Sequence, residues 1–336
     1  GALPSDDKIV GLDCHRLGIK AAFGSGLGNF APLLRWQWGC LRWMLQHRTD
    51  FDLIHACDFD TVLPALICQN FFGKQVIYDI FDFYADHLRA TPAWIKGLIK
   101  ALDRRVIRKV DGVILTDKVR LEQVGDLGST PWTVICNTPQ DLKGNFENQE
   151  PTQTSGSYSL RLVYVGLLQI ERGLLDILEI LKNHPNWHLD LAGFGGDEEL
   201  LLAKARQLPN LHWHGRVPYQ MALTLTAAAD IVLALYDPVL PNHRFASPNK
   251  LFEAMMLGKP VIVAENTHID EIVREEECGL MVPFGDRDAL ERALAQLDAD
   301  TALRRNLGAH GRWAYEQRYN WVIMEARLLQ LYSNIN

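Results

Sequence analysis

Two patterns alternate along the chain. Short apolar runs of strand length stand at residues 8–15, 52–57, 75–79, 112–116 and 132–136, and again at 160–166, 187–193, 211–215, 230–236 and 260–264. Between them, apolar residues return every three or four positions, the period of a helix with one buried face. Such helical stretches include 30–48, one ending at Phe72, 92–109, 287–297 and 300–333. Continuous apolar strands that alternate with helices build open parallel sheets with helices on both faces. Residues 137–159 break the alternation with a polar, turn-rich segment, which reads as a linker. The pattern therefore predicts two α/β domains, the first within residues 1–140 and the second beginning at 160, joined by a linker at 141–159.

The most informative stretch is 243–265. Ser247-Pro248 is a helix-start pair, because Ser can cap free N–H groups and Pro fits the first turn. Leu251, Phe252, Met255 and Met256 are spaced to face a core, and Gly258 stops the helix. The apolar run from Pro260 to Ala264 follows as a buried strand. A helix N-terminus favours anions, phosphate above all, and Lys250 in its first turn adds a full positive charge. Glu253, one turn on, suits a ribose diol, which needs a bidentate acceptor. Spacing alone equally permits a buried helix with a surface Lys and a solvated Glu.

Charge narrows the function classes. The 336 residues carry a formal charge of −7, with 16 basic against 15 acidic residues in 1–140 and 18 against 26 after that. An acidic total argues against nucleic acid as a partner. The six Cys (14, 40, 57, 68, 136 and 278) include no C-x-x-C pair, which predicts a reducing, cytoplasmic setting. No apolar run reaches membrane-spanning length.

Other candidates lie at strand ends, where open α/β sheets bind ligands. Asp58, Asp79 and Asp82 follow strands of the first half, although an Asp there is often a helix cap or turn former. Gly24, Gly26 and Gly28 have a phosphate-loop spacing, but no buried strand runs into them. Gly193 and Gly195 would let a ligand approach the backbone. Arg172 offers a guanidinium for phosphate. Residues 94–109 place Trp94, Ile95, Leu98, Ile99, Leu102 and Val106 on one side, with Lys96, Lys100, Arg104, Arg105, Arg108 and Lys109 elsewhere. Such a helix packs on a sheet or lies on an anionic membrane surface.

Several of these segments together resemble the retaining, family 4 glycosyltransferases of the GT-B fold. Glu253, followed by Ala-Met and Gly-Lys-Pro-Val-Ile, matches the second Glu of that family's E-x7-E motif; Phe245 stands in place of the first. The first βα unit of the second half resembles the family's Val-Gly-x-Leu…Lys/Arg-Gly, with Arg172 at the basic position and Leu167 where a second basic residue often stands. Asp-Leu-Ile-His-Ala-Cys-Asp (52–58) resembles D-[LIV]-[LIV]-H-x-H-D, with Cys57 replacing the second His. Tyr78-Asp79-Ile80-Phe81-Asp82 resembles Tyr-Asp-x-His-[DE], with Phe81 replacing the His. Gly279 to Asp286 and Tyr319-Asn320-Trp321 also match family segments.

The resemblance implies two Rossmann-like domains facing a cleft. The acceptor-side domain is 1–140, lacking the family's first strands, and the donor domain is 160–318; residues 319–336 form a helix returning to the first. It implies transfer of a sugar, with retention, from a nucleotide diphosphate sugar to a glycan or lipid-linked acceptor. UDP or GDP is the expected donor base, and no cofactor or metal is expected. It assigns the diphosphate to Gly166, Arg172 and Lys250. The donor sugar falls to His243, Arg244, Ser247 and Asn249, and the nucleoside to Gly193, Gly195, Arg216, Val217, Leu251 and Glu253. Asp82 and Asp58 are the catalytic candidates. Residues 94–109 would touch the inner face of the membrane from the cytoplasm. The alternatives are a nucleotide-sugar-binding module without activity and a GT-B-fold sugar-nucleotide epimerase.

Overall fold

The computed structural model describes residues 6–9, 11–20, 26–88, 91–146 and 158–335. The chain forms two compact units, Gly1–Val134 with Leu328–Asn336, and Ile135–Arg327.

The first unit opens with strands β1 (Asp6–Ile9) and β2 (Leu12–His15), paired antiparallel in a sheet of their own. The single strand expected over Lys8–His15 is thus a hairpin. Gly11, at φ +83°, supplies the left-handed turn that folds the run back on itself. Gly26–Asn29 forms a 3₁₀ turn that opens α1 (Phe30–Gln46); Gly24 lies outside the described residues. The elements β3 (Leu53–Cys57), α2 (Phe59–Phe72), β4 (Gln75–Ile80), α3 (Tyr84–His87), α4 (Ala93–Ile107), β5 (Gly112–Leu115), α5 (Arg120–Val124) and β6 (Trp132–Val134) follow. The four later strands form a parallel sheet in the order β3-β4-β5-β6. Val76, Tyr78 and Ile80 pack with Val113, Leu115, Phe59 and Val106 into its core.

The single apolar side expected for residues 94–109 is two stripes. Val106 and Ile107 are buried in the sheet core, whereas Trp94, Leu98 and Leu102, four residues apart, are exposed. Asp103, the one acidic residue in 94–109, is fully buried and accepts a hydrogen bond from the Tyr78 hydroxyl at 3.0 Å. Burial pushes its carboxyl up to about 7.

The second unit runs β7 (Leu160–Leu167), α6 (Leu174–Asn183), β8 (Trp187–Phe194), α7 (Glu198–Ala205), β9 (Leu211–Gly215), α8 (Tyr219–Ala228) and β10 (Ile231–Ala234). It continues through α9 (Pro241–Arg244), α10 (Asn249–Leu257), β11 (Val261–Ala264), α11 (Ile269–Glu275), β12 (Gly279–Val282), α12 (Arg287–Ala299) and α13 (Thr301–Ala314). The sheet is wholly parallel, in the order β12-β11-β10-β7-β8-β9. Its topology matters for the site. The chain builds outward from β7 through β8 to β9, then returns to the other flank of β7 for β10 to β12. The carboxyl ends of β7 and β10 therefore border the point where strand order reverses, the usual ligand crevice of an open sheet.

Leu251, Phe252, Met255 and Met256 of α10 are buried, as their spacing predicts, and Gly258 ends the helix at φ +67°. The start differs. The cap position is Pro248, with no side-chain cap, and Ser247 lies one residue too early to accept from the first turn. After α13 a π-turn (Tyr315–Tyr319) leads into α14 (Trp321–Ile335). Its last turns belong to the first unit, where the Gln75 amide donates to the Ile335 carbonyl at 2.6 Å.

Candidate functional site

At the reversal point of the second sheet, two cations share an aromatic floor. Lys250 Nζ stands 3.8 Å from the centroid of the Tyr164 ring and 5.7 Å from that of Tyr236. The Arg172 guanidinium stacks on the same Tyr236 ring at 4.1 Å. The Tyr164 hydroxyl donates to the Leu167 carbonyl at 2.6 Å, which fixes the ring under Lys250. Gly166, at φ +152°, leaves the space that Lys250 fills; a Cβ there would sit 3.2 Å from Nζ. Arg172 is set by a 3₁₀ turn, Ile170–Arg172, closed by Gly173 at φ +67°.

Neither cation has a carboxylate partner among the described residues. Arg172 Nε and Nη1 are buried and make no hydrogen bond, as is the Ser247 hydroxyl. Burial and the nearby Arg172 charge push the Lys250 ammonium well below its usual range, with Glu253 opposing them. Buried donors with no acceptor cost free energy, and an anion satisfies them.

Glu253 is buried one turn along α10, and the Tyr219 hydroxyl hydrogen-bonds it. Burial pushes its carboxyl up, against the Tyr219 hydrogen bond and Lys250. His243 is buried with its ring edge-on to Tyr236 at 5.6 Å. Arg244 is exposed over the Phe245 ring, and Asn249 is exposed at the start of α10. Arg216 is exposed and stacks on Phe194 at 4.6 Å, beside half-buried Val217. The structure thus gathers Gly166, Arg172, His243 and Lys250 around Tyr236.

Three nucleoside candidates have structural duties. The Leu251 side chain is fully buried and presents nothing to a ligand. A Cβ on Gly193, at φ +143°, would overlap the Gly166 carbonyl oxygen, and one on Gly195 would lie 2.5 Å from the Leu168 carbonyl oxygen. These glycines admit neighbouring backbone, whereas spacing suggested room for a ligand. Tyr164, Tyr236 and Tyr219 went unnoticed in the sequence. A hydroxylated aromatic just past an all-apolar strand, as in Ile-Val-Leu-Ala-Leu-Tyr, was the available signal for Tyr236.

In the first unit, Asp58 follows β3 at φ +61°, an unusual conformation for a residue with a Cβ. Its carboxylate accepts from the Phe81 N–H at 3.1 Å. Burial nevertheless pushes it up to about 6, with the Asp60 and Asp82 charges adding. Asp82 is half-exposed and paired at 3.0 Å with Arg120, which is almost wholly buried and also donates to Thr116 and Gln123. One group of possible metal ligands exists among the described residues, His55, Cys57 and Asp79. The sequence reading named no metal ligands.

Residues 159–300 match the family model described as glycosyl transferases group 1. Phosphatidyl-myo-inositol mannosyltransferase of Mycobacterium leprae is 27% identical over 163 residues, which is 48% of this chain and 42% of that protein. Sucrose-phosphate synthase from Thermosynechococcus elongatus superposes with a TM-score of 0.76 at 18% identity, covering 99% of this chain and 86% of that one. The fold is GT-B. Anabaena HepE, solved in complex with UDP, shares this GT-B fold with a TM-score of 0.68 at 17% identity, over 91% of this chain and 83% of that one. The GT-B chain spans less than half the length of the mycobacterial relative. No helix among its described residues is long and apolar enough to cross a membrane.

Proposed function

We propose that this protein is a retaining glycosyltransferase that moves a sugar from a nucleotide diphosphate sugar to a glycan or lipid-linked acceptor. One observation carries the reading: two cations without carboxylate partners among the described residues, Arg172 and Lys250, stand at the strand-order reversal beside the N-terminus of α10. That combination suits a diphosphate. When the anomeric C–O bond breaks, its electron pair goes to the diphosphate oxygen. Charge develops where both cations are already fixed, which lowers the barrier without reorganisation. The acceptor hydroxyl then bonds to the anomeric carbon on the face the diphosphate leaves and gives up its proton to a carboxylate base.

Glu253 is the ribose acceptor in this reading, and Ser247, Asn249, His243 and Arg244 form the sugar end. Backbone groups at Gly193, Gly195, Val217 and Leu251, with the Arg216 side chain, border the base. HepE, crystallised with UDP, makes UDP the first base to test, and GDP the second. The donor site as read needs no metal. Of the two carboxylates, Asp58 is better placed electrostatically to take a proton, because Asp82 is held by Arg120. The exposed Trp94, Leu98 and Leu102 stripe, with Lys96 beside it, supports contact with an anionic membrane surface on the cytoplasmic side. The ion pair at Asp82 and Phe81 in the usual His position favour a second reading, a nucleotide-sugar-binding module without turnover.

A thermal-shift screen of UDP, GDP, ADP, dTDP and their sugars tests the donor site. One nucleotide should stabilise the wild type and neither Lys250→Ala nor Glu253→Ala. Equal stabilisation of all three proteins refutes the site. A nucleotide sugar that binds but is not turned over with any acceptor selects the binding-module reading.

A further inference from the structure

The densest unexplained chemistry lies on the sheet of the first unit. His55 and Cys57 are two residues apart on β3, so their side chains leave the same face. Parallel register sets Cys57 against Asp79 of β4. The donor atoms of all three lie within 4.8 Å of one another. His55 Nε2 is 3.1 Å from Asp79 Oδ2, and its Nδ1 is 2.6 Å from the Tyr332 hydroxyl on α14. Asp79 is only 9% exposed, and its second oxygen, Oδ1, is buried with no hydrogen-bond partner. An acceptor left unmet in this way is costly, and neither His55 nor the backbone reaches it.

We propose that His55, Cys57 and Asp79 bind a divalent transition metal, zinc above others, through Nε2, the thiolate and the carboxylate. The donor set makes the choice. Thiolate and imidazole are poor ligands for magnesium or calcium, and with one carboxylate they suit zinc. Zinc bonds of 2.0–2.3 Å in a tetrahedron hold neighbouring donors roughly 3.3–3.7 Å apart. The three donors therefore need to close by about 1.5 Å at most, a side-chain rotation on a fixed strand pair. Tyr332 completes the arrangement. With its oxygen accepting from Nδ1–H, the ring presents the Nε2 lone pair to the metal. Three protein ligands leave a fourth position for water or a ligand oxygen.

The test uses the full chain, stripped with a chelator and then titrated with Zn²⁺ against a chromophoric chelator and with Co²⁺ by absorption. The expected result is one tight site whose cobalt form shows a thiolate charge-transfer band and the visible bands of a tetrahedral ion. Cys57→Ser and His55→Gln should weaken zinc by roughly 100-fold or more and remove the thiolate band or the tetrahedral bands. Cys14→Ser and Cys40→Ser should change neither. Circular dichroism confirms that each variant is folded. If Cys57→Ser binds zinc as tightly as the wild type, or keeps the thiolate band, the proposal is wrong. The cluster is then a metal-free ion pair that fastens α14.

Discussion

Replacing Lys250 with methionine separates what this residue costs the empty protein from what it contributes to the loaded one. The two distances to the Tyr236 centroid cap the separation of the Lys250 and Arg172 charges at about 10 Å. At an effective dielectric constant near 20 and a pH at which Lys250 is protonated, two like charges about 10 Å apart repel by about 1.7 kcal/mol. That is the minimum, since a shorter separation repels more. Against it stands the attraction of Nζ to the Tyr164 face, about 1 kcal/mol for a partly desolvated pair. Methionine keeps the packing and loses both, together with the Glu253 attraction that also favours the ammonium. Lys250→Met should therefore leave the ligand-free protein equally stable or more so, by up to about 1 kcal/mol in urea denaturation. Diphosphate binding should fall by roughly 10- to 150-fold, the worth of one hydrogen bond to a charged group.

Protonation supplies an independent signature. Burial and Arg172 hold Lys250 well below its usual range, and an arriving diphosphate reverses both influences. UDP binding should therefore take up protons in the pH range between the depressed Lys250 value and the usual lysine range, as read by calorimetry in buffers of different ionisation enthalpy. Lys250→Met should abolish this uptake. In the folded, empty protein the depressed Lys250 binds fewer protons than in the unfolded chain. Its contribution to stability thus improves as pH rises through the window between its folded and unfolded values. A Lys250→Met protein that loses several kcal/mol of stability while binding UDP unchanged would refute the reasoning, because Lys250 would then be a structural cation.

Three further outcomes follow from the geometry. Gly193→Ala forces a Cβ onto the Gly166 carbonyl and should cost more than about 3 kcal/mol in urea, whereas Gly196→Ala, which meets open space, should cost about 1 or less. Asp58 has a folded value of about 6, above its unfolded one, so the folded state binds the extra proton. Its contribution is complete at low pH and is lost as pH rises through about 6; Asp58→Asn should flatten this part of a stability–pH profile. Asp82→Asn removes the carboxylate facing buried Arg120 and should destabilise by roughly 1–3 kcal/mol, with the unfolding midpoint as the check.

Much of this was legible in the residues. Continuous apolar runs at 160–166, 187–193 and 230–236 marked buried parallel strands because nothing else tolerates such runs between helices. The spacing of Leu251, Phe252, Met255 and Met256 fixed the buried face of α10, and the positions of Arg172 and Lys250 pointed to an anion. Other features depend on what lies across space. Nothing local in Gly193 says whether a ligand or the Gly166 carbonyl claims its missing Cβ. The aromatic floor needs Tyr164 on β7 and Tyr236 just past the neighbouring β10, a pairing created by the strand-order reversal. The hairpin at β1 and β2 hid inside one apolar run because its marker is a single residue, Gly11 at positive φ. His55, Cys57 and Asp79 converge only through the β3–β4 register, and Asp103 went inward because Tyr78 awaited it.

The shared Tyr236 face has a kinetic meaning. Many anion sites hold their cations in internal salt bridges that must break before a ligand can enter. Here the resting partners of Arg172 and Lys250 are π faces, which a diphosphate need not displace. Entry then has no internal rival to evict, and the rivals are dissolved ones. Inorganic phosphate, sulfate and pyrophosphate should all compete for these cations, so the apparent donor affinity becomes a function of the buffer. A donor screen run in phosphate-free, low-sulfate solution should therefore report tighter nucleotide binding than the same screen run in phosphate buffer.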